Sequence, residues 1–207
     1  MGTNEGEKIF PLFKNACPYS LYLHSARTIA SVVFPQNRSV MIGLMSMAIV
    51  YIALGSNLGD RARHMREALQ RLEPGVVVEA LSPIYETEPQ YVREQPAFCN
   101  AVVRVRTDLS PEKLLAHLKS VEEAVGRTKT FRNGPRVIDL DIVLYDDQQM
   151  DSPSLTIPHP RMHERAFVLA PLTDIAPDLV HPRLRLTMRY LFKKISSRGV
   201  VRTAHQI

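Results

Sequence analysis

Between Ala48 and Tyr145 the apolar residues switch back and forth between the two-residue repeat of a strand and the roughly 3.6-residue repeat of a helix. Ala48–Leu54 (AIVYIAL) is β-branched and apolar, which predicts a buried strand ending in a Gly55-Ser56-Asn57 turn. Asp60–Leu72 carries Met65, Ala68, Leu69 and Leu72 at helical spacing, and Pro74-Gly75 stops it. Val76–Tyr85 reads as a second strand interrupted near Pro83, followed by a polar loop, Glu86–Pro96. Ala97–Arg106 reads as a third strand. Ser110-Pro111 pairs a capping hydroxyl with proline at the first helical position, and Leu114, Leu115, Leu118, Val121 and Val125 form the stripe behind it. Gly126 ends that helix, Arg127–Pro135 is a basic loop, and Val137–Tyr145 is a fourth strand.

Strand, helix, strand, strand, helix, strand is the order of a split unit with both helices on one face of an antiparallel sheet. The expected class is therefore α+β: a ferredoxin-like antiparallel sheet with helices packed on it, and extra C-terminal helices at Ala166–Ile175 and Thr187–Ile195. The chain has 207 residues, Cys17 and Cys99 as its two cysteines, and a composition that excludes a disulfide scaffold or a long disordered chain. No run of eighteen apolar residues suggests a membrane span. The first 46 residues break the pattern. They are read as an unstructured extension, or as translated sequence upstream of a start at Met41, Met45 or Met47, which leaves 47–207 as the folded domain. Residues 19–40 fit a transit peptide only weakly, and the reduced thiols suit the cytoplasm.

The most informative stretch is Gly134-Pro135-Arg136-Val137-Ile138-Asp139-Leu140-Asp141. Asp139 and Asp141 are two apart on a strand, so both carboxylates leave one face while Ile138, Leu140 and Ile142 face the core. Adjacent carboxylates repel, and a hard cation such as Mg²⁺ relieves the repulsion while keeping places in its shell for substrate phosphates. Arg127, Lys129, Arg132 and Arg136 gather just before the pair. Guanidinium groups suit phosphate because their planar fork donates two hydrogen bonds at once. A second set, Pro158-His159-Pro160-Arg161 with Arg165 and Phe167, follows. The residues leave several readings open: a metal-dependent phosphoryl or nucleotidyl transferase, a solvated Asp pair beside Arg136, or a basic RNA-binding face. With only Phe131 near the basic loop, stacking on RNA bases has little to work with.

Three blocks resemble one known family. Tyr51-Ile52-Ala53-Leu54-Gly55-Ser56-Asn57-Leu58-Gly59 is similar to its first strand and turn, Arg136-Val137-Ile138-Asp139-Leu140-Asp141 to its signature, and Pro158-His159-Pro160-Arg161-Met162 to its second block. The family is 6-hydroxymethyl-7,8-dihydropterin pyrophosphokinase, and the resemblance covers about residues 48–181. It implies transfer of the βγ-diphosphate of ATP to the pterin hydroxymethyl oxygen, giving AMP, in folate biosynthesis. It implies that Asp139 and Asp141 hold two Mg²⁺ ions, that ATP is the co-substrate, and that Arg127 and Arg136 contact the transferring group. Lys119, Glu122, Lys129, Thr156, His159 and Arg165 would line the ATP side. Gly55, Thr87, Gln90, Phe98, Asn100 and Phe167 would line the pterin side. The implied partners are these two small molecules, with no nucleic acid and no membrane, and a monomer is expected.

The chain departs from the family pattern at three positions. Asn133 stands where an aromatic residue often precedes the Gly-Pro-Arg, so a stacking lid is either lost or taken over by Phe131. Pro160 stands where some members carry Tyr, and Ser154 where some carry a basic residue. The 86–96 and 127–135 segments are expected to act as lids over the substrates.

Overall fold

The computed structural model describes residues 47–128 and 130–204, so the readings of residues 1–46 and of Lys129 lie outside the described residues. Its first strand is β1 (Ala48–Ser56), whose Val50, Ile52 and Leu54 point to one face and Tyr51 to the other, all of them buried. α1 (Arg61–Gln70) begins at Asp60, whose carboxylate accepts a hydrogen bond from the Arg63 N–H at 3.1 Å. β2 (Val76–Leu81), β3 (Tyr85–Thr87) and β4 (Phe98–Thr107) follow. α2 (Pro111–Val125) is capped by Ser110, starts on Pro111, and ends at Gly126 with φ 106°, a backbone conformation that favours glycine. β5 is Asp139–Tyr145. A short hairpin, β6 (Met150–Asp151) and β7 (Thr156–Ile157), leads to a single 3₁₀ turn at Met162–Glu164. α3 (Ala166–Ile175), α4 (Met188–Lys194) and β8 (Val200–Arg202) complete the described chain.

The main sheet has the order β5-β1-β4-β3-β8, with β2 also paired to β4, and its pairings are antiparallel. This is a mixed fold of helices on an antiparallel sheet. Each face carries its own core. On one, Ile52, Leu54, Val103 and Leu140 pack with Met65 and Leu72 of α1 and its C-terminal turn, and with Leu114 and Leu118 of α2. On the other, Tyr51, Val102 and Val143 pack with Leu169 and Leu172 of α3 and Met188 and Leu191 of α4. Residues 100–102 and 53–55 therefore alternate between the two cores, and the end of the second face, around Gly55, Asn100 and Asp139, is left for the site.

Two expectations need correcting. Tyr85 does not extend the second strand: Ser82 spends its hydroxyl and amide on Val102 and Pro83, the chain bends, and Tyr85–Thr87 form a separate strand against Phe98–Asn100. Glu86 and Thr87, placed in the polar loop by sequence, thus belong to the sheet. The edge strand β8 and the β6–β7 hairpin are too short to leave a periodic signal. Among the described residues no helix is long and apolar enough to cross a membrane.

Leu118 of α2 is fully buried between the helix and the sheet. Leu118→Ala is expected to cost about 3 kcal/mol in urea melts, the range for an aliphatic core truncation. A loss below about 1 kcal/mol would show that this helix–sheet interface is not the core described.

Candidate active site

The site forms where β1, β4 and β5 end side by side. Gly55 of β1 pairs with Asn100 of β4 on one side and with Asp139 of β5 on the other. A Cβ at position 55 would come 3.1 Å from the Asn100 Oδ1, so glycine is what lets the Asn100 amide and the acidic strand approach each other. The cavity in front of them has a volume of about 170 Å³. Phe98, Asn100, Arg136, Asp139, Asp141 and Phe167 line its floor and walls.

One wall is flat and apolar with an amide at its edge. Phe98 carries the Arg136 guanidinium 5.4 Å from its ring centroid, and Phe167 carries that of Arg165 at 5.5 Å. Asn100 is buried, and its Nδ2 donates to the Thr87 Oγ1 at 2.7 Å, which fixes the amide with its oxygen beside Gly55. Such a pocket matches a fused aromatic ring that carries both donors and acceptors on its edge.

The other wall is ionic. Asp139 gives one oxygen to Arg127 and the other to Arg136, the latter at 2.6 Å. Arg127 also meets the buried Glu122 at 2.6 Å. Glu122 accepts from the Leu140 N–H at 2.7 Å and from the Lys119 ammonium at 2.7 Å. Glu122 and Lys119 therefore brace β5 and Arg127 from behind, and neither lines the cavity. The Asp141 carboxylate has no hydrogen-bond or ion-pair partner among the described residues. Burial, with the Asp139 carboxylate beside it, pushes its carboxyl up to about 6, against the pull of Lys119 and Arg165. A partly buried carboxylate with no partner fits a divalent cation. Among the described residues no group of three or more His, Cys, Asp or Glu is arranged to hold a metal.

His159 and Arg165 close the far end. The Arg161 N–H reaches the His159 Nδ1 at 3.2 Å, and the Arg165 guanidinium lies 3.2 Å from its Nε2. Burial first, and then Arg165, push the imidazole down to about 4, so it is neutral at pH 7. Either tautomer of a neutral ring leaves one N–H facing another donor. The Nε atoms of Arg136 and Arg165 are also buried without a partner. These surplus donors are what an anionic oxygen would satisfy.

The structure thus brings Gly55, Thr87, Gln90, Phe98, Asn100, Arg136, Asp139, Asp141, His159, Arg165 and Phe167 to one cavity. Arg127 reaches it through Asp139 and lines a neighbouring cleft with Arg136. Thr156, on β7, lines neither. Phe131 is 62% exposed and sits on the neighbouring cleft, whereas Tyr91 is the aromatic residue that enters the cavity wall from the 88–96 segment. Asn133 has φ 60°, a conformation that asparagine tolerates better than a bulky aromatic.

Sequence reading missed Asn57 and Gln95. The buried Asn57 accepts from the Arg136 N–H at 2.8 Å and donates to Gln95 Oε1 and the Pro96 carbonyl, each at 3.1 Å. Gln95 in turn donates to the Asn133 carbonyl at 3.1 Å. Two side chains therefore staple the β1 turn to both loops that frame the cavity. The only signal for Asn57 was a polar residue directly after a buried strand.

A family model described as 7,8-dihydro-6-hydroxymethylpterin-pyrophosphokinase matches residues 51–177. The chain belongs to the 6-hydroxymethyl-7,8-dihydropterin pyrophosphokinase family. It is 40% identical over 143 residues to the 2-amino-4-hydroxy-6-hydroxymethyldihydropteridine pyrophosphokinase of Aquifex aeolicus, a match covering 69% of this chain and 89% of that one. It is 50% identical over 139 residues to the folic acid synthesis protein of Dictyostelium discoideum, covering 67% of this chain and 21% of that one. This chain thus spans about a fifth of that relative's length. A crystal structure of the wild-type Plasmodium falciparum HPPK-DHPS shares the fold with a TM-score of 0.57 at 18% identity, over 72% of this chain and 45% of that one.

The raised Asp141 has a consequence for the metal-free protein. Its folded pKa of about 6 lies above the unfolded value of 3.8, so the folded state holds the proton more tightly. This contribution to stability is present below about pH 4 and is lost as pH rises through 6. Relative to wild type, Asp141→Asn is expected to gain stability progressively between pH 4 and 6 and to stay ahead at pH 7, in urea melts with chelator present. A difference that does not change with pH would contradict the assignment.

Proposed function

We propose that this chain transfers the diphosphate of ATP to the hydroxymethyl oxygen of 6-hydroxymethyl-7,8-dihydropterin, giving AMP and the pterin diphosphate. The observation that carries the reading is one cavity with an aromatic and amide wall facing an arginine and aspartate wall. In this reading the ring lies between Phe98 and Phe167 with its edge on Asn100, and its hydroxymethyl group faces Asp139 and Asp141. Arg136, Arg127, His159 and Arg165 take the phosphates. Two Mg²⁺ ions held by Asp139 and Asp141 would supply charge neutralisation on the phosphate oxygens. Arg127 and Arg136, both held on the Asp139 carboxylate, are the guanidinium groups within reach of those phosphates.

The fold supporting this is read as ferredoxin-like: β5-β1-β4-β2 has the spatial order of the split unit, with α1 and α2 on one face. The folded enzyme is assigned to 47–207, since every assigned site residue lies at Gly55 or later. The chain's own contribution is positioning. Gly55 lets the ring edge approach, Asn57 fixes the Arg136 backbone, and Glu122 holds Arg127 and β5 in place. The neutral His159 donates a hydrogen bond without adding charge. Among the described residues that line the cavity, the candidate bases are the weakly basic carboxylates of Glu88, Asp139 and Asp141 and the neutral His159, which suits a loose phosphoryl-transfer transition state stabilised by fixed charges.

Asp141→Ala is expected to abolish AMP formation with the fold intact; a variant keeping most of its activity would overturn the metal assignment. Arg136→Ala is expected to lower kcat by about a hundredfold or more, the range for loss of a fixed transition-state donor. Its effect on ATP affinity should be smaller, and an effect confined to affinity would contradict a transition-state role. A chain beginning at Met47 is expected to keep full activity, and an inactive one would overturn the domain assignment.

A further inference from the structure

The family model stops at residue 177, yet the chain beyond it returns to the wall of the cavity. β8 runs antiparallel to β3, with Tyr85 opposite Arg202, Glu86 opposite Val201 and Thr87 opposite Val200. The Glu88 N–H donates to the Gly199 carbonyl at 3.2 Å, and the Thr203 N–H to the Ile84 carbonyl at 2.9 Å. Hydrogen-bonded pairs alternate in an antiparallel ladder, so Glu86 and Val201 form the pair between these two. β3 is only three residues long, and β4 holds its other edge.

This short strand carries Thr87, whose hydroxyl fixes the Asn100 amide. Directly after it come Glu88, Gln90 and Tyr91 of the cavity wall. The pair of strands is also tied to α3, the helix that carries Phe167. The Tyr85 hydroxyl donates to the Asp174 carboxylate at 2.7 Å, and Arg202 lies 4.0 Å from the same group. Among the described residues, Arg127, His159 and Arg165, assigned to ATP in the functional reading above, make no hydrogen bond or ion pair with β3 or β8.

We propose that β8 is a positioning strand for the pterin half of the site. It clamps β3 from its outer edge, holds Thr87 and through it the Asn100 amide, and anchors the start of the 88–96 segment. Its loss weakens pterin binding and leaves ATP binding in place. The proposal rests on the functional reading above.

Three forms of the full chain test it: one ended after Ser197, one with Val201→Pro, and one with Val201→Thr. Proline removes the N–H of the central pair, and threonine keeps strand propensity at a side chain that is 63% exposed. Binding of 6-hydroxymethylpterin is measured by calorimetry with a non-hydrolysable ATP analogue saturating, and binding of the analogue is measured alone. The shortened chain and Val201→Pro are expected to bind the pterin at least fivefold more weakly and the analogue within twofold of wild type, with Val201→Thr unchanged. Unchanged pterin affinity, or an equal loss for both ligands, would overturn the proposal. So would unfolding of both altered chains, which would make β8 a support of the whole fold and not of one wall. A wild type that binds both ligands but makes no AMP refutes the functional reading alone, because the binding comparison still decides the role of β8.

Discussion

Asp139 holds the two ends of one loop together. Its carboxylate is shared between Arg127, at the exit of α2, and Arg136, at the approach to β5, so the basic segment between them is closed by charge-assisted hydrogen bonds at its base. The buried Glu122 makes that closure stiff, because its oxygens meet both Arg127 and the backbone of Leu140. Burying carboxylates in this way is costly unless every oxygen is matched. Here the matching groups are the same cations that the proposed reaction uses. In the proposed function the site keeps its arginines aimed before substrate arrives, by holding them on a carboxylate that phosphate and metal would compete for.

A second, uncharged network sets the frame around this ionic one. Asn57 joins the β1 turn to the Arg136 backbone and to Gln95, and Gln95 reaches the Asn133 carbonyl. The two loops that border the cavity are thus tied to each other through Asn57 and Gln95. On the side proposed for the pterin, Thr87 plays the matching part for Asn100. Each group proposed to touch substrate is held by a neighbour that does not.

Much of the fold was legible because long amphipathic segments dominate it. α2 carried its cap, its proline and its terminal glycine in plain view, and β1 and β5 carried unbroken apolar faces. The acidic pair was legible because its two-residue spacing on an apolar strand puts both carboxylates on one face, and both line the cavity. What stayed hidden depended on partners distant in sequence. Glu122 looked like a nucleotide contact, and its burial against Leu140 appears only when α2 docks on β5. Thr87 was placed in a loop because three residues give no period. Asn57 looked like a turn residue, since its partners lie about forty and eighty positions away. Tyr91, and not Phe131, lines the cavity, and Phe131 stays exposed two residues before Asn133, whose φ is positive.

The central claim is that one cavity joins a ring pocket to a diphosphate-transfer site. Its most direct test is the nucleotide product. Purified protein is incubated with magnesium, ATP and 6-hydroxymethyl-7,8-dihydropterin, and the nucleotides are separated by ion exchange. The account predicts AMP in amounts equal to the pterin diphosphate formed, and none without the pterin. ADP as the product, or AMP released without the pterin, would contradict it.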